Sequence, residues 1–339
     1  MRRLSSLFCL CSLACGKGAD SAEEGGPSFS YPLDDTRRMN QLQSLGTHNS
    51  YHVQIEGTNI EEWQYSHEPL DVQAGALGVR QYELDVNWDP ETGAFTVYHV
   101  PVLDYLSTCD RLEDCLAALG GWSEENPGHH PMMVLLETKT EPDNESALTR
   151  MLDDLDAVIA DGWPKGRLLT PDKVAEGHDS VAAALSSGGP TLGEVRGQTL
   201  FVLHGSETAR SLYSEGFTVT EGRPLWPHCE GEVEAPACGL HIFNDPIGDA
   251  AEIARVVQAG HLVRTRSDGD SDEARANDYT KAEAALASGA HFISTDWPAP
   301  HPDTGYVVAM PGGTPSRCNP LTATADCLPS EIESPDQLH

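Results

Sequence analysis

Apolar runs of strand character recur along the chain at residues 42–47, 80–86, 132–138, 199–204, 239–243, 262–266 and 291–295, and a weaker one at 167–170 makes eight. Helical periodicity fills the intervals. Residues 145–161 place Leu148, Leu152, Leu155 and Ile159 on one stripe, and 250–259 and 274–288 read similarly. Strands alternating with helices in this number predict an α/β fold, a closed (β/α)8 barrel of the TIM type. The run at 95–100 follows the second strand after only Asp89-Pro90-Glu91-Thr92-Gly93, too short for a crossover helix. It reads as the return arm of a hairpin on the barrel rim.

The two ends of the chain break this pattern. Residues 1–14 carry Arg2 and Arg3, an apolar run over 4–13 and Ala14, the features of a signal peptide too short to span a bilayer. Cys15 follows at the position a bacterial lipoprotein would acylate, although Ser12 stands where leucine is usual. The expected location is therefore the bacterial cell envelope, or the medium after ordinary cleavage. A Gly-, Ser- and Glu-rich tether over 15–34 leads into one domain over 35–310, and a Pro-rich tail, mostly irregular, fills 311–339.

Composition narrows the chemistry. A formal charge of −32 excludes nucleic acid as a partner and requires any anionic substrate to meet positive charge supplied locally. A divalent cation would supply it. Of nine cysteines, three fall before residue 16. The rest form close pairs, Cys109 with Cys115, Cys229 with Cys238 and Cys318 with Cys327, a spacing that predicts three loop disulfides and no zinc.

Side chains two apart on a strand share a face, so Glu83 joins Asp85, Glu137 joins Lys139 and Arg264 joins Arg266 at strand ends that converge on the barrel mouth. Glu83, Asp85 and Glu137 with the Asn49 amide oxygen make an all-oxygen set suited to calcium, with magnesium second. His48 and His99 end strands beside that set, and histidine is the side chain that gains and loses a proton near neutrality. A pair of acid–base imidazoles beside a hard cation points to metal-assisted cleavage of a phosphodiester. Lys139, Arg264 and Arg266 are candidates to bind substrate phosphate or hydroxyls. His67 and the pair His129-His130 lack partners at useful spacing and are read as structural.

The strings Gly46-Thr47-His48-Asn49-Ser50-Tyr51, Glu83-Leu84-Asp85, Tyr98-His99 and Leu136-Glu137-Thr138-Lys139 resemble the calcium-dependent phosphatidylinositol-specific phospholipase C family, bacterial branch. Residues 65–70, 263–268 and 285–290, the last leading into Ser294-Thr295-Asp296, extend the resemblance over about 35–308. It implies a TIM-like barrel of the PLC-like phosphodiesterase type, whole or distorted, with catalytic histidines at His48 and His99. It implies calcium ligands at Asn49, Glu83, Asp85 and Glu137. The implied reaction is attack of the inositol 2-hydroxyl on its own 1-phosphate, releasing diacylglycerol and a cyclic inositol phosphate. The expected partners are a phospholipid or soluble inositol phosphodiester and the membrane surface, with the protein itself a monomer. One departure is His204, where the resemblance leads one to expect an acid. Two other readings stay open: a glycerophosphodiesterase or sphingomyelinase D on the same barrel, opposed by His48-Asn49, and an inactive lipid-anchored binding module.

Overall fold

The structure, a computed structural model, describes residues 29–323 and 326–334. The proposed signal peptide, Cys15 and most of the tether lie outside the described residues. Eight parallel strands close a barrel: β1 (Leu42–Thr47), β2 (Gln81–Trp88), β4 (Met132–Thr138), β5 (Thr199–His204), β6 (Leu225–Cys229), β7 (Leu240–Ile242), β8 (Leu262–Arg266) and β9 (Phe292–Thr295). The register pair Gly46↔Gln81 joins β1 to β2 and completes the ring. Glycine is required there, because a Cβ on Gly46 would fall 2.1 Å from the Gln81 side-chain oxygen. β3 (Phe95–Val97) runs antiparallel to β2, the return arm of the hairpin on the rim.

The eighth strand is not the run at 167–170. That segment makes only an isolated bridge, Leu168↔Thr199, and the barrel instead uses β6, which pairs with β5 through Phe201↔Leu225, Val202↔Trp226 and Leu203↔Pro227. Pro227 hides this strand in the sequence, since proline donates nothing to a ladder and is rarely found in a central strand. The helix expected over 274–288 is two helices, Asp272–Ala276 and Thr280–Ala287, broken where Asn277 takes φ 51°.

Strand alternation sorts the core into two layers. Leu84, Val86, Val134, Leu136, Phe201, Leu203, Val263 and Ile293 face outward and pack with Leu116, Leu152, Leu155 and Ile159 of the long helices Leu112–Glu125 and Glu145–Gly162. Met133, Leu135, Leu200, Val202, Trp226, Leu240, Leu262 and Phe292 fill the inside. The same parity continues upward within each strand. It delivers Glu83 and Asp85 from β2, Glu137 above Leu135, His204 above Val202, His228 above Trp226, and Arg264 and Arg266 above Leu262. The lower barrel is therefore apolar and its C-terminal mouth is charged, because these strands change from apolar to ionisable inward residues at their ends.

All three expected disulfides form, Cys109–Cys115, Cys229–Cys238 and Cys318–Cys327. Among the described residues the tail is mostly irregular and stapled by Cys318–Cys327, yet it is tied to the barrel at two places. Its β10 (Ser316–Cys318) pairs antiparallel with the start of β1, and its Glu333 enters the protein as the partner of Arg80. Arg80 is fully buried, donates to the Ala74 and Val79 carbonyls at 2.7 and 2.8 Å, and lies 4.7 Å over the Trp122 ring. Glu333 also accepts the His130 N–H at 3.1 Å. Replacing Glu333 with alanine strands a buried guanidinium and costs about 3–5 kcal/mol of unfolding free energy in a urea titration; a loss below about 1 kcal/mol would show the pair to be incidental.

Candidate active site

The loop after β1 turns back because Asn49 adopts φ 42°, and its position is fixed by β2. The Ser50 N–H donates to the Glu83 carbonyl at 2.9 Å, while the Ser50 hydroxyl accepts the Glu83 N–H at 2.8 Å. Asn49 is thereby buried against the strand that carries Glu83 and Asp85.

His48 continues the inward face of β1. Its Nδ1 lies 2.7 Å from the buried Asp296 carboxylate, and Arg266 donates toward its Nε2 at 3.4 Å. Arg266 also pairs with Asp296 at 3.0 Å. Burial pushes the Asp296 carboxyl up, but Arg266 and His48 outweigh it and hold it well below the ordinary carboxylate range. An ionised carboxylate on Nδ1 keeps the proton there and leaves the Nε2 lone pair on the Arg266 side of the ring. Asp268, beneath it, hydrogen-bonds Thr295 and the Asp296 N–H, and burial followed by repulsion from Asp296 raises it to about 7.

His99 sits just past β3 and is held in the same way. Its Nδ1 lies 2.9 Å from Asp104, whose other oxygen lies 2.9 Å from His52 Nε2. The backbone of the loop over 100–104 closes Asp104 under His99 through reciprocal bonds between Val100 and Asp104, both 2.9 Å. His67 joins the two halves: its Nε2–H donates to the His48 carbonyl at 2.9 Å, and its N–H donates to the His52 carbonyl at 2.9 Å. Burial lowers His67 to about 4, so it is a neutral strut. A cleft of about 300 Å³ lined by Tyr65, His67, Asp296 and Trp297 opens beside it.

The acids form the third group. In register, Asp85 lies beside Glu137 and Glu137 beside His204, on three adjacent inward-facing strands. Asp85 is wholly buried, and neither of its oxygens accepts a well-aligned hydrogen bond, although Lys139 Nζ approaches to 3.2 Å. Burial, then Glu137 and Glu83, push its pKa well up. Lys139 also contacts Glu137 at 3.0 Å. Burial pushes Glu83 up, but its ion pair with Arg264 outweighs that and draws it down. Glu83 and Glu137 bring donor oxygens within 4.8 Å of each other, and the buried Asp85 carboxylate lies in register with Glu137 without a well-aligned hydrogen bond, a set that fits a hard divalent cation such as calcium.

Of the three proposed substrate cations, Lys139 and Arg266 are partly exposed at the mouth. Arg264 is placed differently: it is 1% exposed and bonded to Glu83, Asn244 and Ser294, one layer below Arg266. Its contacts make it a brace for Glu83 and do not support substrate binding. Sequence reasoning missed Asp296, Asp104 and His52 as supports. Asp296 had a readable cue, an acid one residue beyond a strand end. Asp104 and His52 lie in irregular loops with no periodicity to mark them. A wider cleft of about 1050 Å³ beyond β4 and β5 is lined by Glu141, Asp143, Glu145, Glu207 and Glu215, and that charge repels a phosphate.

Solved structures share this architecture. The calcium-dependent phosphoinositol-specific phospholipase C of a Pseudomonas species in its apo form is 21% identical, with a TM-score of 0.62 over 86% of this chain and 98% of that one. A myoinositol complex of the Pseudomonas enzyme gives 0.61 over 86% and 99%, also at 21% identity. The calcium-dependent phosphatidylinositol-specific phospholipase C of Streptomyces antibioticus is 17% identical, with a TM-score of 0.55 over 77% and 95%. No curated protein sequence matches. The family model described as calcium-dependent phosphoinositide phospholipase C matches residues 37–97 and 93–320, which takes in the barrel strands, His48 and His99, and Glu83, Asp85, Asp104, Glu137 and Asp296. The chain belongs to the calcium-dependent phosphoinositide phospholipase C family.

Proposed function

We propose that this protein cleaves phosphatidylinositol, or a related inositol phosphodiester, to diacylglycerol and a cyclic inositol phosphate, with His48 and His99 as the acid–base pair. The observation that carries the reading is that each imidazole is backed at Nδ1 by its own buried carboxylate, Asp296 and Asp104, at 2.7 and 2.9 Å. One histidine takes the proton of the inositol 2-hydroxyl as its oxygen bonds to phosphorus; the other returns a proton to the glycerol oxygen as that P–O bond breaks. Asn49, Glu83, Asp85 and Glu137 would hold calcium, which when bound lowers the pKa of the attacking hydroxyl and offsets charge growing on the phosphate. Arg266 and Lys139 supply the remaining positive charge that so acidic a protein needs beside a phosphate.

The reading extends to location. The apolar leader, Cys15 and the three disulfides support export as an envelope lipoprotein or a secreted protein acting as a monomer at a membrane surface. Among the described residues no helix is long and apolar enough to cross a membrane, so attachment would rest on the acylated Cys15 and on substrate. Phosphorus NMR of phosphatidylinositol vesicles mixed with the protein tests the chemistry. A cyclic phosphodiester signal that vanishes with a calcium chelator is the expected result. A simple monoester formed from glycerophosphodiesters instead would transfer the chain to glycerophosphodiesterase chemistry.

A further inference from the structure

The mouth contains one donor that an all-oxygen calcium shell does not call for. His204 ends β5 in register with Glu137, and one donor atom from each of Glu83, Glu137 and His204 lies within 4.8 Å of the others. The imidazole is held from behind. Its Nδ1 is 3.0 Å from His228 Nδ1, and His228 Nε2 faces the Glu230 carboxylate at 3.5 Å. Arg210 anchors this outer group by donating to Glu230 and to the His228 carbonyl at 2.8 and 2.9 Å.

Proton placement follows from these partners. In the tautomer that places the His228 proton on Nε2 toward Glu230, with His228 also bonded to the Leu203 backbone, His204 donates from Nδ1 and its own Nε2 carries the lone pair. No hydrogen-bond partner meets that Nε2 among the described residues. A histidine fixed through its far nitrogen by an acceptor chain, with the near nitrogen free, is the arrangement seen behind metal-ligating histidines. Asp85, on β2 beyond the strand that carries Glu137, adds a buried carboxylate without a well-aligned hydrogen bond, with Lys139 its nearby counter-charge at 3.2 Å.

We infer that His204 Nε2 is a ligand of the cation site, and that its nitrogen makes the site bind first-row divalent ions such as Mn²⁺, Co²⁺ and Zn²⁺ alongside calcium, with Co²⁺ held more tightly than Ca²⁺. Imidazole adds little for calcium but a strong bond for first-row metals, and Co²⁺ lies above Mn²⁺ in that series. The inference rests on the reading that Glu83, Asp85 and Glu137 hold a cation.

The test uses the untagged, metal-stripped full chain. Pulsed EPR of one equivalent of Mn²⁺ should show nitrogen modulation, lost in His204→Gln, and calorimetric titration should show Co²⁺ affinity falling at least about tenfold in that variant while Ca²⁺ affinity changes far less. Wild-type Mn²⁺ spectra without nitrogen modulation overturn the inference whether or not the variant folds. Modulation that persists in folded His204→Gln also overturns it by placing the nitrogen elsewhere. A wild-type protein that binds Ca²⁺ but not Co²⁺ removes the nitrogen ligand and leaves the proposed function standing. One that binds neither ion removes the cation site itself.

Discussion

Alanine at His48 or at His99 slows phosphatidylinositol cleavage by about 10²–10⁴-fold, the usual worth of one positioned proton donor or acceptor, and leaves the thermal unfolding midpoint near the wild-type value. The large kinetic effect is expected because each imidazole has its Nδ1 committed to a buried carboxylate and its Nε2 directed away from it. The small structural effect follows from what remains. Without His48, Asp296 keeps Arg266 at 3.0 Å; without His99, Asp104 keeps His52 at 2.9 Å. Neither substitution strands a buried charge, and each removes a ring about one-fifth exposed, at 21% and 23%. A purified variant that turns over within a few-fold of wild type would dismiss that histidine from proton transfer.

Asp85→Asn separates stability from activity in the opposite sense. Asp85 is buried beside Glu137 and Glu83, with Lys139 its one counter-charge among the described residues and both oxygens unsatisfied. Its carboxyl titrates above the unfolded value, so its contribution favours folding below the unfolded pKa and is lost as pH rises through the folded one. At neutral pH without a cation the charge is a cost, and removing it stabilises the chelated protein by about 1–3 kcal/mol. The same change removes one of the proposed calcium ligands. At fixed calcium, activity falls at least about a hundredfold, since even outer partners of such ligands are worth 10–100-fold. Calcium should raise the melting temperature of wild type and not of the variant. A variant that is less stable in chelator, or that still gains stability from calcium, would contradict the assignment.

The barrel was legible because alternation and strand length repeat in seven of its strands, and because inward parity carries straight on from Met133 and Leu135 to Glu137. What parity cannot tell is height. Arg264 and Arg266 share a face, yet one lies buried against Glu83 and the other reaches His48. The missing strand was concealed by Pro227, whose local preference is overridden by Leu225 and Trp226 packing into the core on either side of the sheet. The carboxylates behind the histidines were harder still. The His48–Asp296 contact spans 248 residues, and nothing local to either residue encodes it. His67 was read as structural for want of a partner, and its partners are backbone carbonyls, which no side-chain spacing reveals.

The Arg80–Glu333 pair spans 253 residues, so its two halves are made at opposite times during synthesis. Until residues 316–333 emerge, the Arg80 guanidinium has no counter-ion and the edge of β1 that β10 will cover stays open. Chain closure over so long a span is costly in entropy and comes late. A growing chain of this protein thus leaves the buried guanidinium unpaired and the β1 edge uncovered until residues 316–333 have been made.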